Sequence, residues 1–279
     1  MTRADLLVLL AALIWGLAYL AQKTAMDDLG PVAFVASRAT VAAIVLLPFA
    51  LREGGPRPWG YMGLGGLAFF AAALIQQHGI VTASVSNTAF LTALYVIVAP
   101  ILGFLFWRRR ADWRIWTGAG LALTGAFALS GGTLERFGPG DWLVALSAIG
   151  WAAYMLVTEA AGRAARPLGY TAGVFAVVAL LAWPLAAAKS EIVPEALFAA
   201  LPEILFVGVF SSALTFGLMS VAMRHIPAPR AAILLASEAV FAAIAAALLL
   251  DERLGAWGWA GACLILAAVI LVQQTPRRE

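Results

Sequence analysis

The sequence predicts an all-α integral membrane protein: ten transmembrane helices, arranged as two inverted five-helix repeats around a central cavity. Three observations predict it. Apolar runs of bilayer length alternate with short polar connections, basic residues crowd alternate connections, and the first half recurs in the second.

Composition sets the class. Of 279 residues, 63% are apolar and 12% charged, and mean hydropathy is +0.93. A soluble domain carries about a quarter charged residues, so this chain has too few to cover a water-facing surface. A bilayer core takes roughly 20 apolar residues per helix, which leaves room for about ten helices. Cys263 is the single cysteine and lies in an apolar run, so no disulfide framework exists. No basic block interleaved with aromatics offers a nucleic-acid surface.

Apolar runs bounded by Gly, Pro and charge give spans near 5–22, 31–50, 59–77, 84–106, 113–130, 141–158, 170–188, 203–223, 230–250 and 255–272. The first lies behind Arg3, but no A-x-A site follows it and its counterpart at 141–158 is internal. It reads as a span, not a signal peptide. With the N-terminus inside, the cytoplasmic connections hold thirteen basic residues, Arg108, Arg109 and Arg110 among them. The other side holds four, Lys23, Arg136, Lys189 and Arg253, and Arg38 falls within a span. Such a bias places both termini in the cytoplasm of an inner (plasma) membrane, and ten spans satisfy that.

The halves match at two offsets. At 136 residues, Asp5, Trp15, Pro31 and Pro48 meet Asp141, Trp151, Pro167 and Pro184. After a seven-residue slip the offset is 143, and Ala89, Arg110, Trp116 and Gly118 meet Ala232, Arg253, Trp259 and Gly261. Trp and Pro pairs at constant offset are hard to obtain by accident. The expected repeats are 1–133 and 141–275, with a linker from Ser130-Gly131-Gly132 to Gly138-Pro139-Gly140. Five spans each is an odd number, so the second half is upside down relative to the first. The charges agree: basic Arg108-Arg109-Arg110 is opposed by net acidic Asp251-Glu252-Arg253. Inverted repeats of this kind build transporters with a midplane site.

The chain resembles the drug/metabolite transporter superfamily, and within it the EamA-type ten-helix exporters. The most specific stretches are Asn87-Thr88-Ala89-Phe90-Leu91-Thr92-Ala93-Leu94-Tyr95 with Pro100, and Arg230 through Glu238 to Asp251-Glu252-Arg253-Leu254. Ser37-Arg38 and Trp15-Gly16 also fit. The family usually has Pro after the ninth-helix Glu, and Ala239 stands there instead, which predicts a straighter ninth helix. The resemblance implies a basket of helices around a cavity and alternating-access export of amino acids, metabolites or drugs, with exporters of aromatic amino acids nearest. It implies no cofactor.

Candidate site residues follow from depth. Glu238 lies eight residues inside the ninth span, where a carboxylate is tolerated only beside water, a proton or a partner. It either faces the cavity or ties helices together. Its counterpart is Tyr95. Arg38, seven residues into the second span, either clamps a substrate carboxylate or holds helix ends; its counterpart is Val174. Trp15 with Tyr19, and Trp151 with Tyr154, share a helix face about 15 Å from the span start, too deep for an interfacial belt. They read as cavity walls or as packing. Thr88, Thr92 and Tyr95 form one polar stripe, and Ser211, Thr215 and Met219 another; such stripes line water or bond across helices. Gln76, Gln77 and His78 close the third span, His78 being either a titrating group or merely interfacial.

An intramembrane enzyme would need a reactive set. No HExxH, G-x-S-x-G or phosphate loop is present, and His78 and His225 lie near opposite faces. The implied partners are the lipid bilayer and a small-molecule substrate, with no nucleic acid and no metal. A channel stays open as an alternative, as does the oligomeric state, with which a monomer is compatible.

Overall fold

The structure is a computed structural model that describes residues 1–129, 137–162, 166–249 and 255–274. Most of the predicted linker and the Asp251-Glu252-Arg253 segment lie outside the described residues. The spans are Arg3–Asp28, Pro31–Arg52, Trp59–Thr82, then Val85–Thr92 with Tyr95–Trp107, and Trp113–Leu129. In the second half they are Pro139–Ala161, Pro167–Ala188, Leu201–Phe206 continuing through 207–222, Ala228–Leu235 with Glu238–Leu249, and Ala256–Gln273. A short helix, Pro194–Ala199, precedes the eighth span. Eight of these units are long and apolar enough to cross a membrane. Of the other two, the fifth is described as far as Leu129 and the ninth as far as Leu249.

The residues sort as a lipid-facing bundle requires. On the first span Leu6, Leu10, Leu13, Leu17 and Leu20 are exposed at helical spacing, while Val8, Ala11, Ala12 and Ala18 are buried. Lipid offers large apolar side chains no worse a medium than protein does. Helices therefore gain most by turning small residues inward and packing backbones closely.

Helix pairing repeats across a pseudo-twofold axis. The second span packs along the seventh and the fifth along the tenth, each with its own counterpart. The third lies against the sixth as the eighth lies against the first, and the fourth meets the sixth as the ninth meets the first. One crossing shows the symmetry at atomic scale. A Cβ on Gly66 would lie 2.5 Å from Val177 Cγ1 and 3.3 Å from the Val174 carbonyl oxygen. A Cβ on Gly208 would lie 2.6 Å from Val41 Cγ1 and 3.3 Å from the Arg38 carbonyl oxygen. Val41 and Val177 are counterparts, as are Arg38 and Val174, so this is one contact made twice.

The antiparallel second and seventh spans are also tied at both ends. Glu191 Oε2 accepts from the Val32 and Ala33 N–H groups at 2.8 and 3.0 Å. Glu53 accepts from Leu168 and Gly169 N–H groups at 3.1 and 2.7 Å. Each carboxylate sits on a helix N-terminus, where free N–H groups and the macrodipole favour negative charge.

Three features depart from a set of plain helices. First, the third span runs on to Thr82, so Gln76, Gln77 and His78 lie within it. Their polarity resembles a span end to a hydropathy reading, yet Gln76 and Gln77 are buried and hydrogen-bonded inside the bundle. Second, the fourth and ninth spans break at equivalent places, after Thr92 and after Leu235. The straighter ninth helix expected from Ala239 is therefore not found. The break is an i→i+3 turn, Ser237 N–H to the Leu234 carbonyl at 3.2 Å, with the Ser237 hydroxyl on the same oxygen at 2.7 Å. Such turns interrupt a helix without proline. Third, Val207–Leu214 is a π-helical stretch, which widens the eighth span at mid-depth.

Candidate functional site

A cavity opens between the two halves, near the breaks. It encloses about 550 Å³ of empty space, its mouth included. The end of the bundle where the first span begins is its N-terminal face.

Position along the spans gives the cavity a polar end and an apolar end. Gln22, Arg38, Gln76 and Thr92 line it toward the face opposite the N-terminus. Tyr154, Met155, Phe216, Met219 and Leu235 line it toward the N-terminal face, and Trp15, Tyr19, Tyr95, Trp151, Ser211 and Glu238 lie between.

At the polar end, Arg38 is 4% exposed and held from two sides. Its Nε donates to Ser212 Oγ at 3.1 Å and its Nη1 to Gln22 Oε1 at 3.0 Å. The other terminal nitrogen, Nη2, has no hydrogen-bond partner among the described residues, and no carboxylate there pairs with the guanidinium. A buried cation without a counterion is costly unless something enters to meet it. Beside it, Gln76 Nε2 donates to Thr92 Oγ1 at 2.8 Å, and that hydroxyl donates to the Thr88 carbonyl at 2.7 Å.

Glu238 is the first residue of its half-helix and is 3% exposed. Its Oε1 accepts from the Tyr19 hydroxyl at 3.2 Å, and no cation among the described residues pairs with it. The cavity is thus lined by a buried guanidinium and a buried carboxyl group, neither of them ion-paired within the described residues. An N-terminal helical position suits the carboxylate, because the macrodipole is positive there.

The middle and the apolar end are built of rings. Trp15 Nε1 donates to the Ser211 carbonyl, inside the π-helical stretch, at 2.8 Å. Phe216 is the hub: its centroid lies 4.8 Å from Trp15, 4.9 Å from Phe69 and 6.0 Å from Trp151, with which it stacks at 20°. Tyr154 and Phe175 complete the cluster. The Trp151 indole N–H and the Tyr95 and Tyr154 hydroxyls are buried without partners among the described residues, so three polar atoms at the cavity wall are unsatisfied.

Of the fifteen residues that the sequence singles out, eleven line this cavity: Trp15, Tyr19, Arg38, Gln76, Thr92, Tyr95, Trp151, Tyr154, Ser211, Met219 and Glu238. Four lie off it. Gln77 donates to the Gln22 carbonyl at 3.3 Å. Thr88 is buried with its hydroxyl unpartnered among the described residues, and Thr215 donates to the Ser211 carbonyl at 2.5 Å within its own helix. His78 is half-buried between the Leu74 carbonyl and Lys189, at 2.8 and 3.3 Å. Gln22, Met155, Phe216 and Leu235 line the cavity although sequence reasoning misses them. Gln22 stands two helical turns below Trp15, and that spacing is the one available signal.

Comparison with known proteins decides what such a bundle is. The sequence profile of the EamA-like transporter family matches residues 2–131 and again 138–273. The chain belongs to the EamA-like transporter family. It is a multi-pass membrane transporter of two EamA repeats, and the family is one of transporters rather than enzymes. An uncharacterized transporter from Archaeoglobus fulgidus is 30% identical over 272 residues, covering 96% of this chain and 85% of that one. An uncharacterized transporter of Bacillus subtilis, YwfM, is 27% identical over 291 residues, covering 99% and 95%. A protein of known crystal structure, 17% identical, superposes with a TM-score of 0.78 over 96% of this chain and 95% of its own, a likeness of fold.

Proposed function

We propose that this EamA-family transporter exports amino acids, above all those with apolar or aromatic side chains, and related small zwitterions by alternating access. The observation that carries the reading is a guanidinium and a carboxyl group in one cavity, neither with an ion-pair partner among the described residues. Arg38 offers Nη2 to a carboxylate, Glu238 offers a free oxygen to an ammonium, and the rings around Phe216 offer apolar area to a side chain. Resemblance to the bacterial aromatic amino acid exporter YddG points the same way, and the export direction rests on that resemblance. In this reading the halves 1–133 and 141–275 are the two moving repeats, in an inner membrane with both termini cytoplasmic.

A drug or metabolite exporter of the same fold is the second reading, since the ring cluster also suits flat apolar cations. Such a cation would use Glu238 and the rings but would meet the uncompensated charge of Arg38, which favours the zwitterion. Counterflow of a labelled amino acid panel into proteoliposomes, with and without a pH gradient, tests the proposal. Saturable exchange of apolar amino acids is expected. Exchange of cationic dyes with none of any amino acid would overturn it.

A further inference from the structure

Asp5 and Asp141 are counterparts, and each closes the start of its own helix. Asp5 Oδ2 accepts from the Thr2 N–H at 2.7 Å, and Asp141 Oδ2 from the Gly138 N–H at 2.8 Å. Each also reaches a second span. Arg230 Nη2 donates to Asp5 Oδ1 and Oδ2 at 2.9 and 3.0 Å, tying the ninth span to the first at the N-terminal face. Asn87 Nδ2 donates to Asp141 Oδ1 at 3.0 Å, tying the fourth span to the sixth at the opposite face. Asn87 and Arg230 are themselves counterparts, 143 residues apart. The same clasp is therefore made twice, once at each end of the cavity, from four buried residues. Only its chemistry differs: an ion pair at one face, an amide on a carboxylate at the other.

We infer that these clasps are the two alternating closures of the cavity, and that the Asp5–Arg230 closure is the harder to open. The spans they join carry Tyr19 and Glu238 in one case, Tyr95 and Trp151 in the other, so each clasp fastens two walls of the site. In an inverted-repeat carrier, opening one face gives one half the arrangement of the other. The contact that parts at one face is then the counterpart of the one kept at the other. Parting Asp5 from Arg230 strands two buried charges, and Arg230 Nε already has no partner among the described residues. Parting Asn87 from Asp141 strands only one.

The other end contacts add to this difference. Glu159 holds the Ala228 N–H at 2.8 Å and pairs with Arg109 at 2.6 Å at the N-terminal face, while its counterpart Lys23 holds the Ile80, Val81 and Ala83 carbonyls at 2.7–3.2 Å at the other. Between the clasps the difference lies at positions 87 and 230, and on this inference the empty protein opens more readily to the face opposite the N-terminus. This rests on the alternating-access reading above but on no particular substrate.

The test labels single cysteines with a membrane-impermeant maleimide, from each side of proteoliposomes, in a Cys263→Ser background. Thr92→Cys reports the polar end of the cavity and Met219→Cys the apolar end. In the parent, Thr92→Cys is expected to react from the opposite face faster than Met219→Cys reacts from the N-terminal face. Asn87→Arg, which keeps the native ion pair and so the fold, should slow Thr92→Cys about tenfold, the equivalent of about 1.4 kcal/mol. Exchanging both residues, Asn87→Arg with Arg230→Asn, should reverse the preference. Rates within about twofold of the parent in both variants, monodisperse on size exclusion, would overturn the inference. Equal labelling of both reporters from both sides in every variant would also overturn it, and would place the failure in the alternating-access reading itself.

Discussion

Tyr95 and Glu238 hold equivalent places in the two halves: each is the first residue after the break in its span, and both line the cavity. Only one of them is a carboxyl group. The two breaks therefore bring a carboxylate and an unpartnered hydroxyl to mid-depth, where discontinuous helices commonly place the substrate site of an inverted-repeat carrier. Glu238 keeps one hydrogen bond, from Tyr19, and leaves its second oxygen for a ligand or a proton.

Glu238→Gln retains size and the Tyr19 bond while removing the charge. We expect a folded, inserted protein whose transport falls roughly tenfold or more, since a hydrogen bond to a charged group contributes about 1.5–3 kcal/mol. Proteoliposome flux across a pH series checks it. A pH dependence that vanishes assigns the proton to Glu238, and one that persists assigns the carboxylate to the substrate. Unchanged flux at every pH would leave it a packing residue.

The two tryptophans should separate. Trp15 is anchored on the Ser211 carbonyl, whereas the Trp151 N–H has no partner among the described residues. Trp15→Phe is expected to lower stability by about 1 kcal/mol, and Trp151→Phe to leave it nearly unchanged. Thermal unfolding in detergent reads the difference. Either alanine substitution should weaken transport of bulky substrates more than of small ones; equal loss for all would make the rings packing alone.

The crossings at Gly66 and Gly208 should respond alike. Gly66→Ala and Gly208→Ala each push a methyl group into a valine of the neighbouring span, an overpacking that typically costs about 1–3 kcal/mol. Gly60→Ala, with nothing within 4 Å, should be silent. Gly208→Ala also presses on the Arg38 backbone, so it should weaken transport beyond its effect on stability.

The thirteen-to-four charge bias predicts cytoplasmic termini. Reporter fusions after residue 55 should read cytoplasmic and after residue 135 periplasmic. The opposite pair would invert the orientation.

Much of this architecture is legible in the sequence, because hydropathy and loop charge are the forces that set it. The spans, the duplication and the depth of Trp15, Trp151 and Glu238 follow from them. The breaks are not legible: an i→i+3 turn through Ala236 and Ser237 is as apolar as a continuous helix, and no proline marks it. Phe216 is hidden because an aromatic hub is defined by tertiary contacts, and nothing local distinguishes one of fifteen phenylalanines. The Asp5–Arg230 clasp is within reach of the sequence. One offset pairs Asp5 with Asp141 and the other pairs Asn87 with Arg230, yet hydropathy alone makes Arg230 a loop charge.

On the proposed function, Arg38 and Glu238 together select a zwitterion. Equilibrium binding of three ligands that share one side chain tests this most directly: phenylalanine, its amine without the carboxylate, and its acid without the ammonium. Phenylalanine is expected to bind at least about tenfold tighter than either fragment, an advantage of about 1.4 kcal/mol or more. Arg38→Gln should erase its advantage over the amine alone, and Glu238→Gln its advantage over the acid alone. Equal binding of all three ligands by the unaltered protein would contradict it.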